Sequence, residues 1–184
     1  MTRLAILPLL LLAACAAPQP EQAQGPAAQP PLAREAARII PAPRFAKVDY
    51  LIVDKSERLM VAYAGGQPVR AWRGLQFGDQ PQGHKRFEGD ERTPEGRYVI
   101  EGRNPGSAYH LSLKLSYPNA EDRAYAARQG RSPGGDIFLH GQPNALPTGR
   151  MPGDWTDGCI ALSNAEIEEL WRIVPDGTAI EIRP

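Results

Sequence analysis

Cys159 and His140 are the residues whose types and spacing have the most chemistry to offer. A thiol acts as a nucleophile in its thiolate form, so it needs a base for its proton and N–H groups to hold developing charge. A short apolar run, Asp136 to His140 (DIFLH), ends in an imidazole followed by Gly141. Nineteen residues after the histidine, beyond a Gly/Pro-rich loop, Asp157-Gly158-Cys159 stands just ahead of Ile160-Ala161-Leu162 and a helix start. Glycine beside the nucleophile lets backbone approach a substrate carbonyl, and the N–H groups of Gly158 and Cys159 are candidates for an oxyanion hole. Such a pair suits acyl transfer through a thioester, and a thiol activated in this way is expected to be alkylated well below pH 8.5. The opposite reading, a buried inert cysteine, sits poorly with the polar Asp154, Thr156 and Asp157 just before it.

The elements that must position this pair are short strands. Val48 to Asp54, Arg58 to Ala64 and Pro68 to Leu75 read as an antiparallel meander, its second turn being Gly65-Gly66, where both residues tolerate positive φ. A Gly- and charge-rich loop runs from Gly78 to Arg92, with Thr93 to Gly96 as a turn. Arg97 to Glu101 and the alternating His110 to Leu115 are further strands. Pro118 to Gly130 reads as a short helix with Asn119 as its N-cap and Gly130 as its stop. Ser163 three residues before Glu166 forms a capping-box pattern, and Ile167, Leu170, Trp171 and Val174 then make one apolar helical face. Thr178 to Ile182 is a last strand. Many short strands with one or two short helices make the fold class mostly β, over a domain spanning residues 45–184 that is large enough for a real core.

The 184-residue chain has a formal net charge of +0, with no basic stripe or nucleic-acid motif, so nucleic acid is not an expected partner. Its three histidines are scattered, without HxxxH or CxxC spacing, so a metal site is not expected. The two cysteines differ too much in context for a disulfide. Arg3 precedes an apolar stretch from Leu4 to Leu12 that is too short to span a bilayer. Leu12-Ala13-Ala14-Cys15 follows and resembles a bacterial lipobox. The resemblance implies a signal peptide over 1–14 and a lipidated Cys15 anchored to a membrane. Ala16 rather than Asp after the cysteine implies, in a Gram-negative host, the periplasmic face of the outer membrane. Residues 15–44, rich in Pro, Ala and Gln, are expected to be a tether that packs no core, with at most a weak helix from Leu32 to Ile40.

The stretch from Ile137 to Asn164 resembles the YkuD-type L,D-transpeptidases. Their signature is His-Gly or His-Ser at a strand end, a loop, and then Ser/Thr-His-Gly-Cys, an apolar residue, Arg, an apolar residue and commonly Asn. His140-Gly141 matches the first part, and Thr156, Gly158, Cys159, Ile160, Leu162 and Asn164 match the second. The strand pattern from Tyr50, the Gly89 to Gly96 loop and Ser116-Tyr117-Pro118-Asn119 extend the likeness to roughly residues 47–184. It implies a β-sandwich with the site in a cleft over one sheet. It implies Cys159 as nucleophile, His140 as general base, and the Gly141 carbonyl orienting the imidazole. The substrate implied is a peptidoglycan stem peptide, attacked at the L-centre of its third residue, usually diaminopimelate, without a cofactor. Two positions depart from the pattern: Asp157 stands where the family has His, and Ala161 where it has Arg. An ionised Asp157 facing the thiol would raise its pKa, so Asp157 either points away or serves something cationic such as an acceptor amine.

Three functions are compatible with these residues. They are a transpeptidase, a thiol amidase that cleaves peptidoglycan–lipoprotein or cross-link amides, and an inactive peptidoglycan-binding anchor with a wall-linked lipoprotein as possible partner. Secondary candidates for substrate contact are Asp157, Trp155, Tyr117, Asn119 and His110. Trp155 either covers the cleft or anchors its loop, and His110 either lines the cleft near Tyr117 or is structural. His84 is expected to be a solvated surface residue, the Gly83 to Arg97 segment a solvated hairpin, and Trp171 core.

Overall fold

The computed structural model describes residues 32–39, 47–146 and 148–184. The expected signal peptide and Cys15 lie outside the described residues. In chain order the elements are α1 (Leu32–Ala36), β1 (Tyr50–Asp54), β2 (Leu59–Ala64), β3 (Gln67–Arg73), β4 (Gly96–Asn104), β5 (Ser112–Leu115), α2 (Ala120–Arg128), β6 (Phe138–His140), β7 (Ile160–Ala161), α3 (Asn164–Ile173) and β8 (Ala179–Arg183). Each expected strand and both expected helices are present, with ends displaced by a few residues. Among the described residues no helix is long and apolar enough to cross a membrane.

The strands form one ribbon in the order β3-β2-β1-β8-β4-β5-β6-β7. The expected meander β1-β2-β3 is antiparallel, and the C-terminal β8 joins β1 in parallel. The turn is made at β4. Its first half, Gly96 to Val99, pairs with β8, while Ile100 to Asn104 pairs with β5 across a register shift between Ile100 and Gly102. A bulge bends a strand and increases its twist, so the two ends of the ribbon fold against each other as a sandwich. One apolar core fills it, including Leu51, Val53 and Met60 from one end and Leu113, Leu139 and Ile160 from the other. Helix α3 lays Ile167 and Leu170 on this core, at the spacing its sequence gives. Trp171 is half-buried, packed against the edge of this core with Arg103 over its ring at 5.0 Å.

Part of the expected tether does pack. Leu32 of α1 is 2% exposed and lies against Ile52, Leu59, Val61 and Tyr63 on the outer face of the meander. The Ala33 amide donates to Glu57 at 2.8 Å, and the Tyr63 hydroxyl donates to Glu35. Sequence reading missed this because the meander strands are apolar on both faces. Their outer row needs a cover, and a helix of five residues supplies it without a periodic signal of its own.

The segment from Gly83 to Arg97 is not a solvated hairpin either. Lys85 is buried and pairs with Asp90 at 2.9 Å, and Asp90 also accepts from the amides of Arg86 and Phe87. Those donors hold the Asp90 carboxyl below the ordinary range despite its partial burial, which acts in the opposite direction. His84 is correspondingly half-buried rather than solvated. Its Nδ1 accepts from the Glu95 amide at 2.8 Å, so Nε2 carries the proton and donates to the buried Asp122 at 2.9 Å.

Candidate active site

Strand pairing brings the two expected residues together. Parallel β6 and β7 pair Leu139 with Ile160 and His140 with Ala161. Continuing that register one step back sets Cys159 beside Phe138. Side chains two apart on a strand share a face, so Phe138, His140 and Cys159 all point to the same side. On the other flank Ser112 pairs with His140 and points that way too. These four side chains line one cleft of about 430 Å³, together with Tyr109, Asp136, Trp155, Thr156 and Asp157.

His140 is 3% exposed. Its Nδ1 lies 2.7 Å from the carbonyl oxygen of Gly141. A carbonyl can only accept, so Nδ1 carries the proton and Nε2 keeps a lone pair. Burial holds the imidazole's pKa down at about 4, with the Gly141 carbonyl pulling weakly the other way. The imidazole is therefore neutral, in one tautomer, across the physiological range. Gly141 has to be glycine, since a Cβ there would lie 2.6 Å from Oδ1 of Asn164. Asn164 uses that oxygen to accept from the Gln142 amide at 2.8 Å.

The Cys159 thiol is half-buried, and its Sγ lies 3.6 Å from the carbonyl oxygen of Asp136. Burial pushes its pKa up to about 11. A hydrogen bond from the Phe138 backbone opposes this, while the carboxylates of Asp157 and Asp136 reinforce it. The resting pair is thus thiol and neutral imidazole, not thiolate and imidazolium. The expectation of easy alkylation well below pH 8.5 is corrected accordingly: the low-dielectric cleft and two nearby carboxylates disfavour the anion.

Two supports hold the turn that carries Cys159. Gly158 has φ +123°, and a Cβ there would stand 2.5 Å from the Arg92 carbonyl oxygen. The charged loop after Gly78 therefore braces the turn from behind. Thr156 Oγ1 donates to the Cys159 carbonyl at 2.8 Å and accepts from the Gly158 amide at 3.2 Å. That amide, expected to face an oxyanion, is engaged by Thr156 here. In front of the turn, Asp154 accepts two hydrogen bonds from Arg58, each of 2.7 Å, and one from the Phe77 amide at 2.9 Å. Arg58 holds the Asp154 carboxyl below the ordinary range. Gln76 donates to the carbonyls of Met151 and Gly153, at 2.6 and 2.5 Å, and accepts from Gln142 at 3.1 Å. Sequence reading missed these braces, because Gln76, Gln142 and the Arg58–Asp154 pair are far apart in the chain and form no motif.

The secondary candidates divide. Asp157 and Trp155 line the cleft. Trp155 does both things proposed for it, since its amide also anchors the loop to Phe77 O at 3.1 Å. Tyr117, Asn119 and His110 do not line the cleft, and each has a structural task. Tyr117 is 3% exposed, meets Tyr98 edge-on and donates to Pro133 O at 2.8 Å. Burial raises its hydroxyl's pKa above the ordinary phenol value. Asn119 caps α2, accepting from the amides of Glu121 and Asp122. His110 pairs with Glu168 of α3 at 2.8 Å. Ala161, at the position of the family's Arg, is fully buried between Gln76 and His140.

A thiol and a tautomer-fixed imidazole sharing one cleft of a β-sandwich are groups chemically suited to thiol acyl transfer. Residues 48–182 match the YkuD family, the L,D-transpeptidase catalytic domain, and the chain belongs to that family. It is similar to YafK of Escherichia coli (strain K12), with 29% identity over 94 residues, 50% of this chain and 32% of that protein. Among solved structures it is similar to the helical cell shape determining protein Pgp2 from Campylobacter jejuni. That likeness has 29% identity and a TM-score of 0.60, over 73% of this chain and 47% of that one. It is also similar to Bd1075 from Bdellovibrio bacteriovorus, with 26% identity and a TM-score of 0.52, over 78% of this chain and 50% of that one. The chain therefore spans about a third of the curated relative's length and about half of each solved structure.

Proposed function

We propose that the chain is a peptidoglycan-acting cysteine acyltransferase of the L,D-transpeptidase type, with Cys159 as nucleophile and His140 as general base. The observation that carries the reading is the fixed tautomer of His140, which leaves Nε2 free to accept a proton on a ring that lines the same cleft as Cys159. Because the resting pair is neutral, the proton moves as the bond forms. Sγ attacks the carbonyl carbon at the L-centre of a stem-peptide residue while its proton passes to Nε2. The tetrahedral intermediate collapses, the C–N bond breaks, and the imidazolium returns the proton to the leaving amine. A thioester on Cys159 remains. An acceptor amine then attacks it, giving its proton to His140, and the new amide leaves as the thiol re-forms. Tautomer control and a dry base cost nothing at the moment of reaction, since the fold has set them beforehand.

A second reading, hydrolysis of the thioester by water, is favoured by the departures at 157 and 161. Among the described residues the cleft lining contains two carboxylates, Asp136 and Asp157, and no Lys or Arg to hold a substrate carboxylate. We further propose export and membrane anchoring through a lipidated Cys15, with peptidoglycan as the partner. Pgp2 is a helical cell shape determining protein, which agrees with a role at the cell wall.

The test is mass spectrometry of muropeptides, both tetrapeptides and lipoprotein-linked fragments, incubated with the protein and a D-amino acid, with Cys159→Ala as control. Exchanged or cross-linked products absent from the control are the expected result. Cys159-dependent hydrolysis alone would replace transfer by amidase action. No turnover on any of these substrates would leave only the inactive anchor.

A further inference from the structure

The imidazole of His140 is walled by two aromatic rings, and one of them belongs to no motif. Tyr109 lies against it with ring centroids 4.7 Å apart and planes inclined by 33°. Trp155 meets the same imidazole edge-on at 5.5 Å, and the two aromatic rings touch each other at 5.6 Å. Tyr109 is nevertheless 41% exposed, so it is the solvent side of the wall.

Its position is built rather than incidental. The Tyr109 carbonyl accepts from the Gly141 amide at 3.0 Å, tying the loop to the residue that orients His140. The Tyr109 amide donates to Ser107 Oγ at 3.0 Å. Asn144 clamps the loop on both sides of the tyrosine. Its amide donates to Ala108 O at 3.0 Å, its Nδ2 to Ser107 O at 3.0 Å, and its Oδ1 accepts from the His110 amide at 2.8 Å. His110, the next residue, adopts φ +67°, which is unusual outside glycine and needs such a clamp to persist.

We propose that Tyr109 is a positioning residue for the general base: its ring, held by the Asn144 clamp, closes the open face of His140 against water and keeps the imidazole neutral with Nε2 directed to the cleft. The inference rests on the reading of His140 as the base. The groups facing His140 agree with it. Those that share the cleft with it are the Cys159 thiol, the Tyr109 phenol and the carboxylates of Asp136 and Asp157, while on α3 the Glu168 carboxylate is taken up by His110 at 2.8 Å. None of these is a cause of the depressed basicity of His140, which comes from burial, with the Gly141 hydrogen bond opposing it. Exclusion of water is therefore the quantity to perturb, and Tyr109 is the exposed part of what excludes it.

The experiment is NMR titration of the histidine ring protons in the full chain in detergent solution, with His140 assigned by loss of its signal in His140→Gln. The wild-type midpoint is expected near 4. Tyr109→Ala should carry it up by one to two pH units, toward the ordinary histidine value of about 6.5. Tyr109→Phe should leave it in place, because the wall needs the ring and not the hydroxyl. Asn144→Ala, which frees the loop without altering the ring, should shift it in the same direction as Tyr109→Ala. An unmoved midpoint in both Tyr109→Ala and Asn144→Ala would overturn the proposal, and so would a shift in Tyr109→Phe as large as in Tyr109→Ala. The second readout is Cys159-dependent turnover against pH. A midpoint raised by two units should lower turnover about tenfold at pH 5 and hardly at all at pH 8, whereas a purely structural loss would lower it at every pH. If the wild type shows no turnover, the functional reading falls, and the titration still decides the role of Tyr109.

Discussion

Acidification from pH 7 should destabilise the fold through His140 before any carboxylate is involved. The folded imidazole titrates near 4 because it is buried, against an ordinary value of 6.5. Between these values the unfolded chain binds a proton that the native state refuses. The sign follows: the contribution is fully present above pH 6.5 and is lost as pH falls through 4. A displacement of about 2.5 pH units at about 1.4 kcal/mol each gives a total of roughly 3 kcal/mol, of which about 2 kcal/mol is gone by pH 5. The depressed carboxyls of Asp90, Asp154 and Glu181 start from ordinary values of 3.8, 3.8 and 4.5, so nearly all of their losses fall below pH 5. The assay is urea unfolding at pH 7.5, 6.5, 5.5 and 5, comparing wild type with His140→Gln, whose amide can still donate to Gly141 O. The wild type should lose stability steadily over this range while the variant stays flat. Equal pH dependence in the two proteins would refute the reasoning, since some other group would then be taking up the proton.

Three further outcomes follow from the same geometry. The Cys159 thiol, raised to about 11 from an ordinary 9.0, should be alkylated at pH 8 about 100-fold more slowly than in urea. Asp157→Asn should speed the native reaction by removing a like charge, and an unchanged or slower rate would show that the carboxylate does not face the sulfur. Gly158→Ala should cost about 2 kcal/mol or more, from its positive φ and the collision with Arg92 O. It should also abolish Cys159-dependent chemistry, as read by urea melts and by the muropeptide assay. A stable, active variant would mean that the loop behind the turn yields easily.

Much of the architecture was legible because it depends on local pattern. The meander, the Asn119 cap of α2 and the capping box that starts α3 are written in spacings of two to four residues, and the structure keeps each of them. The His140-Gly141 and Gly158-Cys159 pairs were legible for a related reason. Both glycines sit where a Cβ would collide with neighbouring polar atoms, so the backbone geometry of the site dictates residue type.

What only the tertiary structure decided concerns groups that meet across the chain. The parallel pairing of β6 with β7 puts an imidazole and a thiol on one face, a fact of sheet order that nineteen residues of spacing cannot specify. The depth of the cleft fixes their protonation, reversing the expectation of an acidic thiol. Tyr109, Gln76, Gln142 and Asn144 acquire their tasks through hydrogen bonds and ring contacts with distant neighbours, and Tyr117, Asn119 and His110 lose the tasks expected of them in the same way. The sequence thus determined which elements form and which chemistry is available. Burial and long-range contact, which no local pattern encodes, decided the charge state in which that chemistry begins.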